Sequence, residues 1–464
     1  MRYFKKVGEI LLYLLAFLLP IQTRFIIRPG VVNFGYLEYG TISLYLTDII
    51  LVVWLSFLVI NFLLPKPKKF LDLNLNLFPG KPKVDYALIA LVFLELVVFA
   101  SVFFAPYVLL AVYKYALLLM GIIVFLIVRQ GEFFNRLKLI YCFLAGIFLQ
   151  AALAFYQFIT QSTFASKLLG LSLHDPSVPG VSVVEAYNSQ GLLVRWLRSY
   201  GGLDHPNILG GVLAIGIIIL VGLLVERHKW KIVAKHLRLF VIVNYSLIFF
   251  FSVALLFTFS HAAYLAAGFG VALVLLLSDS CHLRTKMDPK SLDCGFILGF
   301  SMLFIVVWSM LFSSIDVRLF NASRLEQMSN QERISGYVQG LQSIASRPLS
   351  GWGVGNYYLS LYVREPYFQS YFYQPVHNVF LLVAAEVGIP GAMLFIIFLG
   401  ILLWHKMKNS RNNGLSVALI FALLIMAMVD HWLWSLHFGI LFFWLVLGMA
   451  TWEFNDQKFG ITKK

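Results

Sequence analysis

Windows of about 20 predominantly apolar residues recur along the chain, the length an α-helix needs to cross a hydrocarbon core of roughly 30 Å. A chain of 464 residues that is 60% hydrophobic and 12% charged is too apolar for a soluble domain of that size. The expected fold is an all-α polytopic membrane protein, one integral membrane domain over 1–464. About 12 spans can be placed, near 8–27, 46–64, 84–104, 107–128, 139–160, 206–225, 239–257, 261–278, 295–314, 378–404, 414–434 and 436–453. The first follows Lys5-Lys6 with no small-residue cleavage site after it, and reads as a retained helix.

Charge sets the orientation. With the N-terminus in the cytoplasm, inner segments hold 25 of the 36 Lys and Arg, outer segments hold 10, and Lys114 lies within a span. This is the positive-inside asymmetry. Most of the +14 formal charge therefore concerns insertion and implies no nucleic-acid partner. Nine of the ten outer cations are Arg and only Lys167 is Lys, whereas inside Lys outnumbers Arg 18 to 7. A planar guanidinium grips phosphate or carboxylate through two bonds, which an ammonium does not. Two explanations stand: several outer Arg bind an anion, or they are structural anchors left by insertion. Cys142 falls in a span and Cys281 and Cys294 in or beside an inner loop, so neither an exported disulfide nor a zinc ligand set is expected.

Two long outer segments, 161–205 and 315–377, break the pattern. In the second, Ser329 and Glu332 have capping-box spacing and Pro348 closes the stretch. Between them Ile334, Tyr337, Val338, Leu341, Ile344 and Ala345 recur at helical spacing, which predicts an amphipathic helix resting on the membrane or on the bundle. Arg333, Gly340 and Arg347 form a row along its flank, either a groove open to a ligand or a solvated helix edge. Gly351, Gly353 and Gly355 follow at alternate positions, permitting a tight turn and close backbone approach.

The polar motifs gather on the outer side. Arg195, Arg198, Asp204, His205 and Asn207 lead into span six, and Ser260-His261 forms the turn between spans seven and eight. His377 and Asn378 open span ten with Glu386 at the interface, and Asp430 and His431 sit where the last two spans meet. Arginines near a membrane surface can hold a lipid-linked diphosphate as a leaving group, and a His or carboxylate can take a hydroxyl proton. Any one of these histidines alone is as readily a structural hydrogen-bonding group. Metal-using enzymes of this kind need paired outer carboxylates, and the first outer loop offers only Glu38, so neither metal nor other cofactor is expected. Glu95 and Lys114 lie at similar depth on either side of a short turn, which predicts a hairpin ion pair.

The series "RSYGGLDHPNILGG", "ERISGYVQGLQSIASRPLSGWGVGNYY" and "HNVFLLVAAEVGIPG" resembles the O-antigen ligase and polymerase superfamily, with a motif region over 195–391. The resemblance implies a C-type glycosyltransferase fold, an undecaprenyl-diphosphate glycan donor, and metal-free inverting transfer. It assigns the diphosphate to Arg198 and Arg333 and activation of the acceptor hydroxyl to His377. Arg195 and Arg347 are further diphosphate candidates; His261, Asn207, Asn378, Glu386, Asp430 and His431 are supporting ones. The chain departs from the family at Ser260-His261, where Ser-Arg is usual, so a neutral His stands in place of a permanent charge.

The leading function is a membrane glycosyltransferase of the ligase type. It would pass a glycan to a glycan, lipid or protein acceptor on the outer face of the cytoplasmic membrane, with both termini inside. A polymerase of lipid-linked repeat units is the alternative. A transporter or flippase of lipid-linked sugars is the third reading, and it would place polar groups at mid-membrane in repeated halves, which this chain lacks.

Overall fold

The computed structural model describes residues 2–63, 85–131, 134–187, 192–230, 234–278, 324–408 and 413–452. The ninth span at 295–314, the inner loops at 65–83 and 279–294, Cys281, Cys294 and Arg318 lie outside the described residues. The first eight helices are α1 (Arg2–Leu18), α2 (Leu46–Leu63), α3 (Tyr86–Val102), α4 (Val108–Gln130), α5 (Arg136–Thr160), α6 (Pro206–Val225), α7 (Ala234–Leu256) and α8 (His261–Leu277). Beyond residues 279–323, which lie outside the described residues, come α9 (Arg324–Ser346), α10 (Tyr357–Arg364), α11 (Val379–Lys408), α12 (Gly414–Val429), the single turn α13 (Trp432–Ser435) and α14 (His437–Ala450). Five described helices, within α4, α5, α6, α7 and α11, are long and apolar enough to cross a membrane, and five more are apolar but shorter. The chain is a mostly helical integral membrane protein.

The all-α expectation needs one correction. Helix α1 stops at Leu18, not at residue 27, because Pro20 supplies no N–H to continue the ladder. The β-branched run that follows forms β1 (Arg24–Arg28), paired antiparallel with β4 (Ile42–Tyr45). Between them β2 (Val31–Val32) pairs with β3 (Gly35–Tyr36), and in the 161–205 segment β5 (Val183–Tyr187) pairs with β6 (Leu193–Leu197). These three ribbons lie in the connections.

Helix α6 is the hub, buried along nearly its whole length against α7, α8 and α12. Its start is fixed locally: His205 Nδ1 accepts from the Asn207 amide at 3.1 Å, and Pro206 takes the first helical position, where no N–H is missed. Two buried glutamines on α5 hold the loop ahead of it. Gln157 Oε1 accepts from the amides of Tyr200 and Gly201, both at 2.9 Å. Gln150 donates to Pro20 O at 2.9 Å, tying the end of α1 to the same layer.

The expected Glu95–Lys114 pair does not form. Similar depth does not fix the side of a helix, and the two point apart. Lys114 donates to Ser435 O at 2.9 Å, while Glu95 Oε2 has no hydrogen-bond partner among the described residues.

The amphipathic helix is present as α9, but its apolar residues divide between two sides. Tyr337 and Ile344 pack on the bundle, with Gly340 against Val376, so the glycine makes a close contact and not a groove. Ile334, Val338 and Leu341 remain exposed. The glycine run after α9 docks on a break in α11, where Gly388 leaves the helix at φ 87°. Trp352 N donates to Ala385 O at 2.9 Å, Gly353 N to Glu386 O at 2.8 Å and Ile389 N to Pro348 O at 2.8 Å. Gly351, Gly353 and Gly355 all have positive φ, and a Cβ would strike Glu386 O, Ala105 and Lys114 respectively.

Gly388→Ala would push a Cβ into the Leu349 carbonyl at a left-handed backbone position, and is expected to cost about 2 kcal/mol or more. Gly268→Ala, on α8 with open space around it, should be neutral or mildly stabilising. Thermal melting of both variants in detergent checks the contrast.

Candidate active site

Asn378 caps α11: its Oδ1 accepts from Leu381 N at 3.0 Å, while its Nδ2 donates to Met428 O at 3.0 Å. One amide thus starts α11 and ties it to the end of α12. His377, the residue before the cap, then stands beside Asp430, the residue after α12, with Nδ1 and Oδ1 3.3 Å apart. The His377 side chain is 29% exposed and that of Asp430 11%. A carboxylate only accepts, so the shared proton sits on His377 Nδ1 and Nε2 is left as the basic nitrogen. Asp430 also accepts from the His431 amide at 2.8 Å and from Asn207 Nδ2 at 3.3 Å.

Asn207 is used at both ends. Its Oδ1 accepts from Arg198 at 2.7 Å, so one side chain links the guanidinium to the Asp430 carboxylate. Arg198 follows β6, is buried, and donates through Nε to Thr258 O at 2.9 Å, just ahead of the Ser260-His261 turn. Burial, with the charge of Arg333 acting in the same direction, brings the Arg198 guanidinium down to about 10, still cationic at neutral pH. Arg333, from α9, is close enough to act on Arg198 and makes no hydrogen bond or ion pair among the described residues. Arg198 and Arg333 are thus two guanidiniums that act on each other through space, a charge type that can hold an anion.

The other expected residues are distributed as follows. Arg195 lies on the β5–β6 ribbon beside Glu185, Nε to Oε1 at 3.7 Å, and donates to Ser177 O at 3.2 Å. Arg347 lies over the Trp352 ring at 4.1 Å and donates to Phe104 O at 3.1 Å, at the α3–α4 turn. Neither joins Arg198 and Arg333. His431 is buried beneath the pair, with its ring centroid 5.0 Å from that of His377 and its Nδ1 2.7 Å from Ser435 Oγ. Glu386 is buried and accepts from the Trp434 indole at 2.9 Å. His261 begins α8 next to the strand of chain that receives Arg198.

His377, Asp430 and His431 bring three ligand-type atoms within 4.8 Å of one another, the kind of cluster that can hold a metal ion. Here the Asp430 carboxylate already accepts three N–H groups, and His377 Nδ1 is the donor of one of them.

Sequence reasoning missed the coupling of Asn207 to Asp430 and the part of Ser435. The latter had a signal: Ser435 stands four residues after His431, the spacing that brings side chains together over one helical turn. It also missed a cluster in the first connection, where Glu38 is held by Arg24 and by Tyr36 at 2.7 Å.

With His377 as the candidate base and Asp430 as the group that fixes its tautomer, His377→Asn or Asp430→Asn should cut turnover by on the order of 10³-fold while leaving the protein folded. Single-turnover rates with a lipid-linked donor, set against melting temperature, separate this from unfolding.

No curated protein matches the chain. A model of the O-antigen ligase family matches residues 246–396, a segment that contains Arg333, the glycine run, His377 and the break in α11. Over this segment, about a third of its length, the chain is similar to the O-antigen ligase family.

Proposed function

We propose that the protein transfers a glycan from an undecaprenyl-diphosphate donor to an acceptor hydroxyl, on the outer face of the cytoplasmic membrane, as an O-antigen ligase. The observation that carries this is the His377–Asp430 pair, joined through Asn207 to the buried Arg198, on which the charge of Arg333 also acts. In the proposed step His377 Nε2 takes the proton of the acceptor hydroxyl and the oxygen attacks the anomeric carbon. The bond to the diphosphate breaks on the opposite face, which inverts the configuration. Asp430 stabilises the imidazolium that forms, and Arg198 and Arg333 receive the charge of the departing undecaprenyl diphosphate. With two permanent cations at the leaving group, the step needs no metal ion.

The remaining finer statements belong to the same proposal: about 12 spans, termini in the cytoplasm, and the ribbons with α9 and α10 on the outer side. Support for the side comes from the distribution of Lys and Arg, 25 in inner segments against 10 in outer ones. The Ser260-His261 departure is bridged in this reading by Arg333, which supplies the second fixed charge. Arg195 and Arg347, held elsewhere, are anchors.

Arg333→Lys should be severely impaired, because charge alone does not reproduce a two-pronged grip on phosphate. Near-normal turnover of that variant would reduce Arg333 to a structural role. The direct test supplies the protein in lipid, in the presence of a chelator, with one synthetic undecaprenyl-diphosphate repeat unit. Release of undecaprenyl diphosphate only when a candidate acceptor is added supports the ligase. A ladder of longer lipid-linked chains without acceptor makes the protein a polymerase. No release under either condition sinks the proposal.

A further inference from the structure

Lys114 is a buried cation that belongs neither to the candidate site nor to an ion pair among the described residues. Lys114 lies midway along α4 with 7% of its surface exposed, and its stem is packed against Gly355. Glu38 and Glu386 act on its charge through space, yet it makes no direct ion pair among the described residues. Among the described residues its one hydrogen bond goes to the Ser435 carbonyl at 2.9 Å, and the ammonium lies 5.9 Å from the centre of the Tyr113 ring. A cavity of about 10 Å³ lined by Lys114, Glu386, Tyr39 and Ser435 leaves room for a single water beside it. A buried ammonium with so little compensation is costly, and a Met or Leu would fill the same space without that cost. Packing alone does not account for a lysine there.

What the ammonium grips is the end of the turn that carries the site. Ser435 closes α13, and its hydroxyl meets His431 Nδ1 at 2.7 Å. The His431 amide donates to Asp430, and Asp430 accepts from His377. Four hydrogen bonds therefore run from α4 to the imidazole at the mouth of α11. We infer that Lys114 is a positioning residue for the His377–Asp430 pair: it clamps the Ser435 carbonyl from below and so fixes the turn on which Asp430 and His431 are mounted. The inference rests on the role proposed for His377.

The test uses the full chain in lipid with the lipid-linked donor and an acceptor. Lys114→Met keeps the length and apolar bulk and removes the donor group. Its kcat should fall roughly tenfold or more, since small misplacements of a base are costly in rate. The KM for the donor should stay within about twofold, because the diphosphate contacts are untouched. The melting temperature should not fall. Ser435→Ala severs the hydroxyl link to His431 but leaves the carbonyl for Lys114. It should lower kcat in the same way, and the double variant should be no slower than Lys114→Met alone. Wild-type kcat in Lys114→Met, a loss confined to KM, or strictly additive losses would each overturn the inference. Should Lys114→Met fail to accumulate as folded protein, Ser435→Ala decides: lowered kcat at unchanged KM supports the clamp, and unchanged kcat refutes it. His377→Ala run in parallel keeps the two claims apart, because activity there would defeat the site itself whatever Lys114 does.

Discussion

The carboxylate of Asp430 is the point through which the upper part of this molecule is held together. A buried carboxylate is tolerable only when its oxygens are filled by donors. Asp430 draws its donors from three separate stretches of chain: the start of α6 through Asn207, the residue before the α11 cap through His377, and its own following turn through the His431 amide. Each helix end brought to it is one that local chemistry has already fixed, by His205 and Pro206 at α6 and by Asn378 at α11. The arrangement of helix termini and the arrangement of the candidate base are thus one set of hydrogen bonds. Arg198 is drawn into the same set because Asn207 has a second end to offer.

The break in α11 has a comparable logic one layer below. Irregular backbone next to lipid is tolerated only where protein satisfies its polar groups. At Gly388 the groups left by the interrupted ladder are taken up by Trp352, Gly353 and Pro348, so the loop and the broken helix complete one another. The alternate glycines are therefore a packing device. They let backbone approach α11, the α3–α4 turn and Lys114 with no side chain between.

Much of this was legible in the residues. The apolar windows gave the membrane class, and Pro348 marked the end of α9, but Ser329 and Glu332 do not start it: both lie inside a helix already running at Arg324. His377, Asn378, Asp430 and His431 were recognisable because polar groups at the mouths of apolar runs stand out against their surroundings. What failed did so for geometric reasons. Depth along a helix can be counted but its rotation cannot, so Glu95 and Lys114 were paired when they point apart. An apolar period identifies a helix without saying which residues meet protein and which meet lipid, so Ile334 and Tyr337 seemed to share a face that α9 divides. Spacing put Arg347 in a row with Arg333, but stacking on Trp352 takes it to another neighbour. The short ribbons escaped notice because a few β-branched residues at the end of an apolar run look like more of the same run.

The separation in sequence of the residues that meet at Asp430 has a consequence for how the protein is made. Asn207 and Asp430 are 223 positions apart, and the Lys114–Ser435 bond spans 321. A chain emerging from the ribosome and entering the membrane helix by helix completes early contacts first. Asn207 and His377 can be joined through Asp430 only after α12 has been made. In a chain stopped before α12, Asn207 and Lys114 have neither Asp430 nor the Ser435 carbonyl to meet. The network around Asp430 is thus a late assembly, formed only once every helix that carries one of its members is in place.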